Sequence, residues 1–162
     1  MENQGRARAL YKTSVVADGV LNCFRGSVDA TGVTVGCQTA NGSLEEVAHV
    51  RDTVAKMGHV IVRRADSIVR TKYNAVLQSQ IQLPLDGDTR VIADWYGVGI
   101  RVVGIAWHRT TNQSKAERLG GSDDQWRWHR LTRLGRRVVR RCESRGIAVD
   151  VSHCNKSTVM AV

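Results

Sequence analysis

The stretch Tyr96-Gly97-Val98-Gly99-Ile100-Arg101-Val102-Val103-Gly104-Ile105-Ala106-Trp107-His108 decides how this chain folds. Two glycines precede a β-branched run, and the run ends on a histidine. Gly97 or Gly99 closes a helix read over Asp86 to Tyr96, because a residue past a helix C-terminus adopts the left-handed conformation that glycine tolerates best. Ile100 to Ala106 is the clearest strand in the chain: short, β-branched and without a charged break after Arg101.

Working outward, the same unit of helix then strand recurs. Downstream, Thr132 to Arg145 is a helix with Leu131, Leu134, Val138 and Cys142 on one face and Arg133, Arg136, Arg137, Arg140 and Arg141 on another. Gly146 ends it, Ile147 to Val151 is the next strand, and Asn155 or Ser157 caps a further helix. Upstream, Ala75 to Gln80 is a strand, and Val60 to Arg70 reads as helical. Ser43 with Glu46 three residues on is a capping box for a helix carrying Leu44, Val47, Ala48, Val54 and Ala55. Gly32 to Cys37 and Thr13 to Ala17 are earlier strands, the first broken by Asp18-Gly19.

About five βα units follow, which predicts an α/β protein with a parallel sheet. A full eight-stranded barrel needs ~250 residues, so 162 residues accommodate an open sheet or a partial TIM-like (β/α) barrel. We read a single domain over residues 1–162, with 1–12 as a disordered or helical extension. No internal repeat, low-complexity tract or linker interrupts it.

Composition agrees with this. Apolar residues make up 42%, with four Trp, three Tyr, one Phe and a single Pro, a profile for alternating strands and helices rather than a loop-rich sandwich. Cys23, Cys37, Cys142 and Cys154 form no CxxC pair, which argues against structural zinc and against a disulfide framework. No segment has the ~20 apolar residues of a membrane span, and the polar start lacks the apolar core of a secretory signal. A cytoplasmic chain is the expectation.

A net charge of +9 favours anionic partners. The five arginines on one helix face, with Trp126 and Trp128 nearby, offer phosphate contacts, but an outer barrel helix must also show a polar face to water. No nucleic-acid motif accompanies them. Nucleic acid is therefore not the expected partner.

Active sites in parallel α/β folds collect at the C-terminal ends of the strands. Those ends carry Asp18 to Asn22, Cys37-Gln38-Thr39, Gln78-Ser79-Gln80, Trp107-His108-Arg109 and Ser152-His153-Cys154. His108 and His153 suit metal or carbonyl chemistry. Asp18 and Asp150 are the carboxylates within reach, each with the simpler role of satisfying backbone donors. Cys23, Cys37 and Cys154 also fall near the mouth, whereas His49, His59 and His129 fall on helix or loop surfaces. The polar segment from Arg109 to Arg130 is a long insertion of the kind that carries function.

Three segments taken in order resemble one family. They are the strand ending in His108, the helix Leu131-Thr132-Arg133-Leu134-Gly135-Arg136-Arg137-Val138-Val139, and Gly146-Ile147-Ala148-Val149-Asp150-Val151-Ser152-His153. They are similar to the G-V-R strand, the L-T-x-x-G-R-x-V-V helix and the G-x-x-x-D-x-S-H strand of the membrane (renal) dipeptidases. The likeness extends more weakly from Pro84-Leu85-Asp86-Gly87-Asp88 back to Val16. It covers about the first half of that family's barrel.

The resemblance implies a TIM-like barrel holding two zinc ions bridged by a carboxylate, which hydrolyses dipeptides through a metal-activated water. It aligns His153 with a zinc ligand and His108 with a substrate-contacting histidine. It also aligns Val20 and Asn22 with the family's H-x-D, and Gln80 with its bridging glutamate. Valine has no donor atom, and neutral amides cannot offset two divalent cations. Zinc-dependent dipeptide hydrolysis is thus expected to be lost or incomplete here. Open barrel edges leave two alternative routes to covering an incomplete barrel, self-association or a second chain that completes it.

Overall fold

A computed structural model of the chain describes residues 2–21, 32–40, 43–80, 88–106, 119–121 and 130–162. Among them five parallel strands curl into a half-barrel in the order β1 (Ala17–Leu21), β2 (Val35–Thr39), β4 (Asn74–Gln80), β5 (Ile100–Gly104) and β6 (Ala148–Asp150). A two-residue strand, β3 (Val60–Ile61), pairs with the start of β4 alongside. The partial barrel expected from the sequence is what forms.

Helices α2 (Leu44–Lys56), α3 (Val91–Val98) and α4 (Arg133–Glu143) connect these strands, after an N-terminal α1 (Glu2–Thr13) and before a short α5 (Lys156–Val159). Their starts follow from local chemistry. Ser43 Oγ accepts from Glu46 N–H at 3.1 Å, Thr132 Oγ1 from Gly135 N–H at 2.9 Å, and Asn155 Oδ1 from Thr158 N–H at 2.9 Å. Each satisfies a donor the first helical turn leaves free. Gly99, at φ 107°, closes α3.

Two expectations move. Thr13 ends α1, and the first strand begins four residues later, so Asp18-Gly19 lies inside β1 rather than breaking it. Pairing with β2 sets this, since Ala17 faces Val35 and Asp18 faces Gly36. Val60 to Arg70 is not a helix. It contains β3 and a single 3-10 turn, Ala65–Ser67. Val60 and Val62 hydrogen-bond to the start of β4, with Val60 N–H donating to Tyr73 O and Val62 N–H to Ala75 O. The loop after it is held by Asn74, whose buried amide accepts from Val69 N–H and donates to the carbonyls of Val69, Lys72 and Thr34.

Register divides the sheet into two faces. Gln38, Leu77, Ser79, Val103 and Val149 share the outer one. There Leu77, Ile100, Val103 and Ile105 pack with Val47, Ile92, Trp95, Leu134 and Val138 of the helices, all buried. A bulge at Arg101 keeps both Ile100 and Val103 outward. The displaced Arg101 guanidinium donates to the carbonyls of Arg63, Tyr96 and Ile100 and lies over the Tyr96 ring. The inner face carries Cys37, Thr39, Val76, Gln78, Val102 and Asp150.

Helix α4 packs as the sequence indicated: Leu134, Val138 and Cys142 are buried, and the five arginines are exposed. No described helix is long and apolar enough to cross a membrane.

Candidate active site at the barrel mouth

Polar residues at alternate positions of the inner face point to one region. In β4, Gln78 and Gln80 are two residues apart and therefore share a face in the strand. Thr39 of β2 is in register with Gln78, and Asp150 of β6 is in register with Gly104, which is itself opposite Gln80. Gly104 has no side chain to stand between β4 and β6. Across it, the Gln78 Nε2 donates to Asp150 Oδ2 at 2.7 Å.

Asp150 is thereby used twice. Its Oδ1 accepts from Ser152 N–H at 2.8 Å, tightening the turn that leaves β6, while Oδ2 holds the glutamine. The backbone role expected for Asp150 accounts for one oxygen, and the cross-strand contact for the other. Gln78 was legible only as one residue of a strand end. Its pairing with a residue 72 positions away follows from strand order alone.

Electrostatics on this face are acidic. The Cys37 thiol is pushed above its ordinary pKa by burial first, then by the negative charges of Asp150 and Asp18. It stays protonated at neutral pH, which makes it a poor nucleophile. Cys142, on the outer side, is raised further by burial, to about 11.

His153 ends the turn after β6, half-buried, with the left-handed φ of 62°. Only a few per cent of non-glycine residues take this conformation. Asn155 N–H then donates to Gly121 O, and Gly121 N–H to Thr158 Oγ1, so the turn is tied to the segment ahead of α4.

Of the other positions read from the sequence, Val20 lies in β1 and Gln80 ends β4, both with only their backbone described. Asn22, Cys23, His108, His129, Trp126 and Trp128 lie outside the described residues, as does nearly all of the Arg109 to Arg130 segment. His49 is exposed on α2, and His59 packs edge-on against Tyr73 with ring centroids 5.3 Å apart. Among the described residues, no three His, Cys, Asp or Glu side chains converge as metal ligands do. A cavity of about 700 Å³ touches Thr34, Lys72 and Tyr73, at the opposite end of β2 and β4 from the mouth.

Known proteins share this architecture. One solved structure, an amidohydrolase from Pseudomonas aeruginosa, superposes with a TM-score of 0.79 at 16% identity, covering 95% of this chain and 50% of that one. A second, described as the "probable dipeptidase PvdM" of the same organism, gives 0.73 at 16% identity, with 96% and 51% covered. A third, a metallo peptidase from Rhodobacter sphaeroides liganded with a phosphinate mimic of the dipeptide L-Ala-D-Ala, gives 0.62 at 16%, with 94% and 56% covered. The chain spans about half the length of these structures. A search of curated proteins finds no match. The sequence model of one family, membrane dipeptidase (peptidase family M19), matches residues 6–162. With nearly every described strand and helix inside that match, the chain belongs to the membrane dipeptidase family.

Proposed function

We propose that this chain is a dipeptidase-type hydrolase unit whose own residues do not support two-zinc hydrolysis of dipeptides. The observation that carries this reading is the donor set. At the positions aligned with family ligands stand Val20, Asn22 and Gln80, one without a donor atom and two neutral. Two divalent cations bridged by a carboxylate need anionic oxygen to offset their charge, and an amide supplies only a dipole. The described inner face of β2, β4, β5 and β6 adds one carboxylate, Asp150, and a single negative charge does not offset two divalent cations. These residues do not fit a pair of zinc ions, so no catalytic step is routed through one.

What the chain retains is a frame for a small, dipeptide-like molecule: a rigid parallel sheet, a polar inner face and His153 at the mouth, with His108 beyond the described residues. The test combines zinc analysis of the purified chain with a dipeptide hydrolysis assay. The expected result is less than one tightly bound zinc per chain and no turnover. Restoring the donors with Val20→His, Asn22→Asp and Gln80→Glu together should raise zinc uptake. Two tightly held zincs with ordinary turnover in the unmodified chain would refute the reading.

A further inference from the structure

Gln78 is fully buried, and its side chain is half satisfied. Nε2 donates to Asp150 Oδ2, while Oε1 has no hydrogen-bond partner. The amide cannot be turned round to cure this, because its oxygen would then face the carboxylate. Buried carbonyl oxygens are nearly always paired, and one left bare costs free energy that a bound donor recovers. Ser79 Oγ is also buried and bare, but it lies on the outer face of β4, away from Asp150.

The surroundings define which donor fits. Among the described inner-face residues of β2, β4, β5 and β6, Asp150 carries the only formal charge, and Asp18 of β1 is in register with Gly36, on the opposite face from Cys37. Each Asp150 oxygen has one partner and a lone pair to spare, and Gln78 Oε1 has both. The position thus presents acceptors from two side chains around a single negative charge. Calcium and magnesium take six or more oxygens, zinc favours imidazole and thiolate donors, and all three call for more anionic charge than is offered here. An ammonium, with three donors and one positive charge, matches what is offered. The upward shift of the neighbouring Cys37 thiol, caused in part by Asp150 and Asp18, agrees with a locally negative potential.

We propose that Gln78 Oε1 and the Asp150 carboxylate form a recognition site for the protonated primary amine of a small molecule, bound across Gly104 on the inner face of the half-barrel. The site rests on the contact between β4 and β6, and it stands whether or not the chain holds zinc.

The experiment follows the side-chain amide resonance of Gln78 in the full chain, assigned by its loss in Gln78→Leu, during titration with ethylammonium chloride at constant ionic strength. Potassium chloride and ethanol are the matched controls. The expected result is a saturable shift with ethylammonium alone. Asp150→Asn and Gln78→Leu, monitored by intrinsic tryptophan fluorescence, should each weaken binding about tenfold or more, as loss of a hydrogen bond to a charged group does. No saturable shift, an equal response to potassium, or undiminished binding in Asp150→Asn overturns the proposal. Zinc content and turnover are measured separately, so either reading can fail while the other stands.

Discussion

Gly135→Ala should destabilise the protein, against the usual sign for such a change in a helix. Alanine in place of an interior helical glycine ordinarily stabilises by about 0.5–1 kcal/mol, because glycine loses more backbone freedom on folding. In α4, however, a Cβ at position 135 would run into the carbonyl of Leu119 and sit 2.7 Å from Leu131 Cδ1. That carbonyl cannot retreat freely. It accepts from Thr132 N–H at 2.8 Å and from Thr132 Oγ1 at 3.1 Å, and Thr132 is the cap of the same helix. Overpacking of this kind costs about 1–3 kcal/mol, and each hydrogen bond lost adds about 1. Set against the propensity gain, the net expectation is a loss of about 2–4 kcal/mol. Urea unfolding followed by far-UV circular dichroism measures it. Gly97→Ala is the control: an added Cβ there meets nothing within 4 Å, so that variant should be unchanged or stabilised by up to about 1 kcal/mol. A Gly135→Ala protein as stable as the parent would refute the close approach of Leu119 and the account of why glycine occupies this turn.

Asn74→Ala removes a buried amide that makes four hydrogen bonds to backbone groups and should cost about 3–4 kcal/mol in the same assay. A loss under 1 kcal/mol would show that the 69–73 loop holds itself. Thr132→Ala deletes the cap of α4 and should cost about 1 kcal/mol, read as a lower urea midpoint. Cys142 titrates near 11 when folded, against an ordinary value of 9.0. The folded state therefore holds the proton more tightly, so this contribution to stability is complete below pH 9 and disappears as pH rises through 11. Urea midpoints should fall across that window and fall less in Cys142→Ala. The same burial predicts that Cys142 resists thiol reagents at pH 8 until the chain unfolds.

Much of the fold was readable along the chain because it is written in local terms. The strand at Ile100, the amphipathic helix after Thr132 and the capping signals at Ser43 and Asn155 each depend on residues within a turn or two of one another. The misreadings came where partners are remote. Val60 to Arg70 has helix-compatible spacing, but hydrogen bonding to β4 makes its start a strand. The β1 boundary is set by pairing with β2, which nothing in residues 13–18 announces.

The site divides the same way. The sequence by itself determined the family frame, and the proposed loss of two-zinc chemistry rests on the uncharged side chains of Val20, Asn22 and Gln80. Only the tertiary structure decided that Gln78 meets Asp150, that a glycine between them lets the contact form, and that one amide oxygen is left buried without a donor. A residue's donor atoms are fixed by its covalent structure. Which of them face each other depends on strand order and register, and those are settled by helices packing on the outer face of the sheet.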